Sequence, residues 1–240
     1  MVAGSRMLRV PPFERGLTLA DFFFPIRVGE RISSRLRHIA LILGGAALIT
    51  AGAWISFQVP AVTLPFGIYV PANPYVPITL QTFGVFVSGA ALGVRRGTAA
   101  SLLYLVLGIV GLPVFAADPA TGIHPTGLAR IIGVSGGHVV LGSTGGYLIG
   151  FVLAAAVVGR LAELGWDRTV RGALAAMLIG ELVIVGLGLI WLAAAIPAPL
   201  DVAAGYGLWP FLPTDLLKIL AATGALPFGW WLVNRRPSDR

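Results

Sequence analysis

Cysteine is absent from the 240 residues, charged side chains make up only 11% of them, and of the 17 basic residues a single one, Lys218, is lysine. Without a thiol there is no disulfide framework, no thiolate nucleophile and no Cys-ligated metal site, and the redox compartment cannot be read. The three histidines, His38, His124 and His138, stand apart, lacking the spacing and carboxylate neighbours of a metal centre. No Gly-rich loop ends in Gly-Lys-Ser/Thr, which excludes ATP hydrolysis by P-loop chemistry within this chain. The shortage of charge is informative too, because ordinary globular domains carry roughly 25% charged residues. What fills the chain instead is apolar: 57% hydrophobic residues and a mean hydropathy of +0.88. The net charge of +7 sits in short basic clusters between apolar runs, a pattern of loop charge on an anionic membrane face rather than of nucleic-acid binding.

Six stretches, roughly 38–57, 79–94, 97–116, 145–162, 172–196 and 213–234, approach the ~20 residues that a helical span needs. The second is short, as a tilted or partly re-entrant segment is. Arg31, Arg35 and Arg37 precede the first stretch, Arg95 and Arg96 join the second to the third, Arg160, Arg168 and Arg171 join the fourth to the fifth, and Arg235 and Arg236 follow the last. The alternate loops, 58–78, 117–144 and 197–212, contain only Arg130. The positive-inside rule then puts both termini in the cytoplasm. The expected fold is an all-α polytopic protein of six transmembrane helices in the cytoplasmic membrane. Residues 1–37 form a basic, interfacial or disordered arm with no signal-peptide cleavage site, and 38–236 form one domain without internal repeats. The Arg-poor loops are rich in Pro and Gly and are expected to fold over the membrane as lids.

Charges inside spans carry the functional signal, because an ion at a helix centre costs at least ~2.5–3.5 kcal/mol and persists only with a partner or a task. Glu181, Asp215 and Lys218 qualify. Asp215 and Lys218 are i and i+3 on one helix, so they share a face and offer an acceptor beside a donor, which suits either a polar ligand group or a structural tie between helices. The lone lysine in an Arg-rich chain marks a place where Arg's broad fork does not replace a compact ammonium. Glu181 is read either as a cavity residue or as a protonated acid bonding between helices. Thr79, Gln81 and Thr82 open the second stretch as helix-capping or pocket-facing polar groups. In the Gly142-Ser143-Thr144-Gly145-Gly146-Tyr147 run, Gly145 and Gly146 permit tight turns whose N–H groups face an anion or a carbonyl. On the first stretch Gly44, Ala47 and Ala51 make a small-residue stripe, open to packing within the chain or against a partner.

Val76-Pro77-Ile78-Thr79-Leu80-Gln81-Thr82, Gly93-Val94-Arg95-Arg96-Gly97, Tyr104-Leu105-Val106-Leu107-Gly108 with Gly111-Leu112-Pro113-Val114-Phe115, Gly145-Gly146-Tyr147-Leu148-Ile149-Gly150-Phe151 and Pro210-Phe211-Leu212-Pro213 before Asp215 and Lys218 follow one another in an order that resembles the BioY family. These are the biotin-specific substrate-binding (S) components of energy-coupling-factor (ECF) transporters. The resemblance covers about residues 40–232. It implies a non-enzymatic, cofactor-free subunit that binds biotin from outside and docks onto a membrane T component and two ATP-binding-cassette ATPases. It implies that Asp215 and Lys218 hold biotin, with Lys218 meeting either the ureido carbonyl or the valerate carboxylate. Phe115, Tyr147 and Tyr104 are the expected apolar walls, beside Thr79 and Gln81, and Gly44, Ala47 and Ala51 the expected docking face. The sequence departs from the family pattern at Ser143, where proline is usual, and at Thr214, where glycine is usual, and its loops 58–75 and 116–141 are long. Rival readings are an S component for another vitamin, a biotin carrier working without ATPases, and a small intramembrane enzyme using Glu181 with His138.

Overall fold

The computed structural model describes residues 17–23, 34–57, 61–63, 69–70, 72–118 and 121–235. Most of the arm before residue 34, together with Pro60, Pro65, Pro71, Pro119 and Arg236, lies outside the described residues. The helices are α1 (Leu19–Phe23), α2 (Ser34–Trp54), α3 (Gln81–Ile109), α4 (Gly145–Glu163), α5 (Val170–Ala195), α6 (Leu200–Gly207) and α7 (Leu212–Arg235). Among the described residues five of these, α2, α3, α4, α5 and α7, are long and apolar enough to cross a membrane.

The second and third apolar stretches are the two arms of α3, which folds back at Gly93. Its φ of 79° and ψ of 176° are open to glycine and strained for any other residue. In a straight helix Gln81 and Tyr104 would stand about 34 Å apart. Here Gln81 Nε2 donates to Tyr104 Oη at 2.5 Å, so the arms lie antiparallel. A Cβ on Gly97 would come within 2.8 Å of the Gly89 Cα, which is why the second arm carries glycine at the crossing. The arms, 81–92 and 94–109, run roughly 18 and 24 Å at 1.5 Å per residue, short of a ~30 Å hydrocarbon core. Glu163 Oε1, at the end of α4, accepts from the Val94 N–H at 2.9 Å and caps the second arm.

Small residues set the remaining contacts. A Cβ on Gly84 would stand 3.0 Å from the Ile49 Cα, one on Gly89 3.0 Å from the Ala155 carbonyl oxygen, and one on Gly150 3.0 Å from the Ile184 Cα. These approaches bring α2, α3, α4 and α5 together by van der Waals contact, the force left to helices in lipid once hydrophobic drive between them is gone.

The Arg-rich end is closed by ion pairs. Thr18 donates from its N–H and hydroxyl to Asp21 Oδ2 at 3.1 and 2.9 Å, capping α1. Arg96 grips both Asp21 oxygens at 2.8 Å, and Arg37 adds a bond at 3.1 Å. Partial burial raises the Asp21 carboxyl, but Arg96 and Thr18 outweigh it and hold it at about 2. This part of the expected interfacial arm is therefore a short helix docked on the chain, with Leu19 buried and Phe22 edge-on to Trp230 at 5.2 Å. Asp167, in the α4–α5 connection, is buried beside the same indole and accepts from Trp230 Nε1 at 2.7 Å, while Arg168 lies 4.2 Å over the ring. Burial pushes the Asp167 carboxyl up to about 6 against the lowering effect of Trp230 and Arg168.

The opposite end adds short strands to the expected all-helical picture: β1 (Ser56–Phe57) pairs with β4 (Ile78–Thr79), β2 (Val62–Thr63) with β3 (Tyr69–Val70), and β5 (Ile132–Ser135) with β6 (His138–Leu141), all antiparallel. Gly136 and Gly137, at φ 58° and 79°, supply the two positive-φ positions of a tight hairpin between β5 and β6.

Candidate functional site

Pro213 opens α7 and places Asp215 in its first turn, where the unsatisfied N–H groups of the helix favour negative charge. Lys218 follows one turn later, and its Nζ donates to Asp215 Oδ1 at 2.6 Å. The two residues are only 6% and 5% exposed, so this is a buried pair and not a surface salt bridge.

The pair faces a narrow cavity of about 40 Å³ between α4, α5 and α7, lined among others by Thr79, Thr82, Tyr147, Phe151, Glu181 and Phe211. Glu181 reaches it from α5, and its charged neighbours are Asp215 and Lys218. The Glu181 carboxyl lies against that of Asp215 and has no other hydrogen-bond partner among the described residues, and the buried Thr82 hydroxyl has none there. One ammonium thus stands among two carboxyls in a chamber whose other walls are aromatic and aliphatic.

The cavity has a roof of loop segments tied by side-chain bonds to backbone. Asn73 Oδ1 accepts from the N–H groups of Tyr75 and Val76 at 3.1 Å, and its Nδ2 donates to the Tyr206 carbonyl at 2.6 Å, joining the 72–79 segment to α6. Tyr75 meets Tyr206 edge-on at 5.0 Å. Ser143, at the position where the resembling family has proline, donates to the Tyr75 carbonyl at 2.7 Å, so this departure adds a tie to the roof. Tyr147 donates to the Gly207 carbonyl at 2.8 Å and stacks near Phe211.

The residues singled out in the sequence divide into groups. Asp215, Lys218, Thr79 and Tyr147 line the cavity. Gln81, Tyr104 and Phe115 stand behind it as a buried network: Thr79 Oγ1 donates to Gln81 Oε1 at 3.1 Å, Gln81 to Tyr104, and the Tyr104 ring meets Phe115 edge-on at 5.6 Å. Gly145 and Gly146 sit against Trp191, where a Cβ on Gly145 would come within 2.7 Å of the indole, and Trp191 Nε1 donates to the Gly142 carbonyl at 2.9 Å. Gly44, Ala47 and Ala51 are exposed on α2, and Ala47 and Ala51 line a shallow groove with Leu43, Thr50 and Trp54. That face is not used for packing among the described residues; Gly45, Ala46, Ile49 and Gly52 serve there. Glu181 and Thr82, which the sequence marks as a candidate cavity acid and a pocket-facing hydroxyl, line the cavity as well, and Ser143, marked as a departure from the family pattern, ties its roof; Asn73 is the site feature that the sequence does not signal.

The profile of the BioY family matches residues 27–235. The chain belongs to the BioY family. A biotin transporter BioY of Thermotoga maritima is 37% identical over 176 residues, covering 73% of this chain and 85% of that protein. A biotin transporter BioY of Rhodobacter capsulatus is 38% identical over 196 residues, covering 77% and 88%. In fold, this BioY-family chain is similar to the crystal structure of an S-component for biotin from an ECF-type ABC transporter, with a TM-score of 0.63 and 24% identity over 85% of this chain and 98% of that one. These relatives are transporters, and this chain is a multi-pass membrane protein like them.

Proposed function

We propose that the chain binds biotin in the cavity between α4, α5 and α7 and serves its uptake as the S component of an ECF-type transporter. The observation that carries this reading is the buried Asp215–Lys218 pair in a roofed, mostly apolar chamber of a BioY-family chain. Such a chamber matches biotin: the ureido ring offers two N–H donors and a carbonyl, while the thiophane and valeryl portions need apolar walls. Drug-sized ligand clefts span ~300–1,000 Å³, so entry requires the roof over this 40 Å³ cavity to part. The Asn73, Ser143 and Tyr147 ties are the bonds that have to loosen.

Six crossings follow if each arm of α3 counts as one, with the short arms accommodated by local thinning or by the loops that cover them. The Arg-rich end then faces the cytoplasm and the cavity faces outside, in the cytoplasmic membrane. The exposed Gly44, Ala47 and Ala51 face is read as the surface that meets a T component, two ATPases supplying the drive from outside this chain. Calorimetry of the detergent-purified protein tests the central claim: tight biotin binding without nucleotide is expected, and unaltered melting at saturating biotin overturns it, since ~100-fold excess over Kd adds ~2.7 kcal/mol to the folded state.

A further inference from the structure

Between Arg130 and Arg160 the sequence has no Asp, Glu, Lys or Arg. That stretch holds most of α4, which is apolar enough to cross a membrane, but it also holds the β5–β6 hairpin, which the protein does not bury. Ile132 pairs with Leu141 and Val134 with Val139, so these four side chains share one face of the hairpin. Val134 and Val139 are 75% and 68% exposed, and Ile132 is 39% exposed. The other face leans on the chain, where a Cβ on Gly133 would stand 3.5 Å from the Ala129 Cβ, and it carries Ser135 and His138 near the tip. A strand pair standing in water blunts such an apolar face with charge or covers it, and this one does neither.

The foot of the hairpin is held at membrane depth. Directly after β6 the Gly142 carbonyl accepts from Trp191 Nε1 at 2.9 Å. Trp191 lies four residues before the end of α5 at Ala195, which is ~6 Å inside that helix end. Its neighbour Ile190 is 68% exposed on this spanning helix, so lipid reaches α5 at the level where the hairpin leaves it. Trp54, the last residue of α2, and Trp209, just before α7, are exposed at the same end, as the aromatic belt of a membrane interface is.

We infer that the Ile132, Val134 and Val139 face of the β5–β6 hairpin is a lipid-binding surface, seated at the border of headgroups and acyl chains in the leaflet at this end. Lipid is the occupant, and not a second protein, because the face shares the charge-free composition of α4 and starts level with the lipid-exposed Ile190. Ser143, two residues beyond β6, carries the tie to the Tyr75 carbonyl, so the seat anchors one side of the cavity roof to the bilayer. The inference does not depend on which ligand the cavity takes.

The absence of cysteine makes the test direct. Val134→Cys, Val139→Cys and, on the other face, Ser135→Cys are each made in the full chain, labelled with an environment-sensitive fluorophore and placed in nanodiscs of phosphatidylcholine and phosphatidylglycerol. Iodide then reports contact with water, and a phospholipid carrying a nitroxide near the headgroup end of its acyl chain reports contact with lipid. At the ~5–10 Å depth of an interfacial apolar face, the labels at Val134 and Val139 should be quenched by iodide at least about threefold less than the label at Ser135. They should also be quenched by the nitroxide lipid and emit further to the blue. Either valine position reports the same face, so one well-folded variant of the two suffices. Labels at the valines that are as open to iodide as the one at Ser135 overturn the inference. Protection from iodide without quenching by the nitroxide lipid overturns it too, because the face is then covered by protein, a second copy of the chain included.

Discussion

Removing Lys218 and removing the charge of Asp215 should not destabilise the protein equally, and the difference follows from Glu181. Lys218 is 5% exposed and 2.6 Å from Asp215, with Glu181 as the further charged neighbour of the pair. In Lys218→Met the cavity retains two carboxyls and loses its cation, the situation in which breaking a buried pair costs about 3–5 kcal/mol. In Asp215→Asn the shape is kept, a charge-assisted bond becomes a neutral one, and Glu181 remains as counter-ion to Lys218, so about 1–2 kcal/mol is expected. For a chain of this size each kcal/mol moves Tm by ~2–4 °C, which makes the drops roughly 6–20 °C against 2–8 °C. The double variant Asp215→Asn/Glu181→Gln leaves Lys218 without any carboxyl and should fall into the larger class. Thermal unfolding in one detergent, followed by tryptophan fluorescence without ligand, reads all three. Equal losses for the two single variants, or a larger loss for Asp215→Asn, would refute the reasoning, because either result means that Glu181 does not act as a second counter-ion.

Biotin affinity should fall roughly ten- to hundredfold in Asp215→Ala and Lys218→Ala, read by calorimetry; Asp215→Asn with intact affinity would make the pair structural. Asn73→Ala removes three hydrogen bonds of the roof and should speed biotin release at least several-fold in a chase experiment, with little change in the bound-state contacts. Ala47→Trp, on the exposed α2 face, should leave biotin binding near wild type and abolish co-purification with a T component and ATP-dependent uptake; lost biotin binding would mark that face as internal. Asp167 has a folded-state value raised to about 6, so its protonated form stabilises the fold at low pH and the contribution, up to about 3 kcal/mol, is lost as pH rises through 6. Wild type should therefore lose melting temperature between pH 5 and pH 7.5 more steeply than Asp167→Asn, and parallel pH profiles would show that this carboxyl does not titrate there.

The helical passes were legible in the sequence because lipid demands long apolar runs, and the Asp215–Lys218 pair was legible because i, i+3 spacing on a helix is a statement about space. Neither condition holds for the features that were missed. Gly93 sits in a Val-Arg-Arg context that reads as a loop, and only its positive φ and the Gln81–Tyr104 bond show that the two neighbouring stretches are one element folded on itself. Glu181 was visible as an acid in an apolar helix, but its neighbours belong to α7, and no spacing along α5 points to them. Gly145 and Gly146 read as turn glycines whose N–H groups face an anion or a carbonyl, and the close approach of Trp191, from α5, is a further reason for the missing side chains that no spacing reveals. Nothing in the sequence marks Asp167, and its burial shows only once the indole of Trp230 is placed against it.

The two surfaces with proposed tasks lie on different helices, and the physical connection between them runs through α3. Thr79 lines the cavity and, as part of β4, pairs with Ser56 just beyond the end of α2. The same Thr79 donates to Gln81, which bonds Tyr104 on the other arm of α3, and that arm stacks through Phe115 on the loop that follows it. Further along, Ser88 donates to the Gly45 carbonyl at 3.3 Å, on the buried side of α2, whose exposed side carries Gly44, Ala47 and Ala51. A ligand that contacts Thr79 therefore meets a hairpin hydrogen-bonded to α2, and the same 72–79 segment carries the Asn73 tie of the roof. On the proposed reading the roof parts to admit the ligand, and the fold-back of α3, bonded to the buried side of α2 through Ser88, backs the small-residue face.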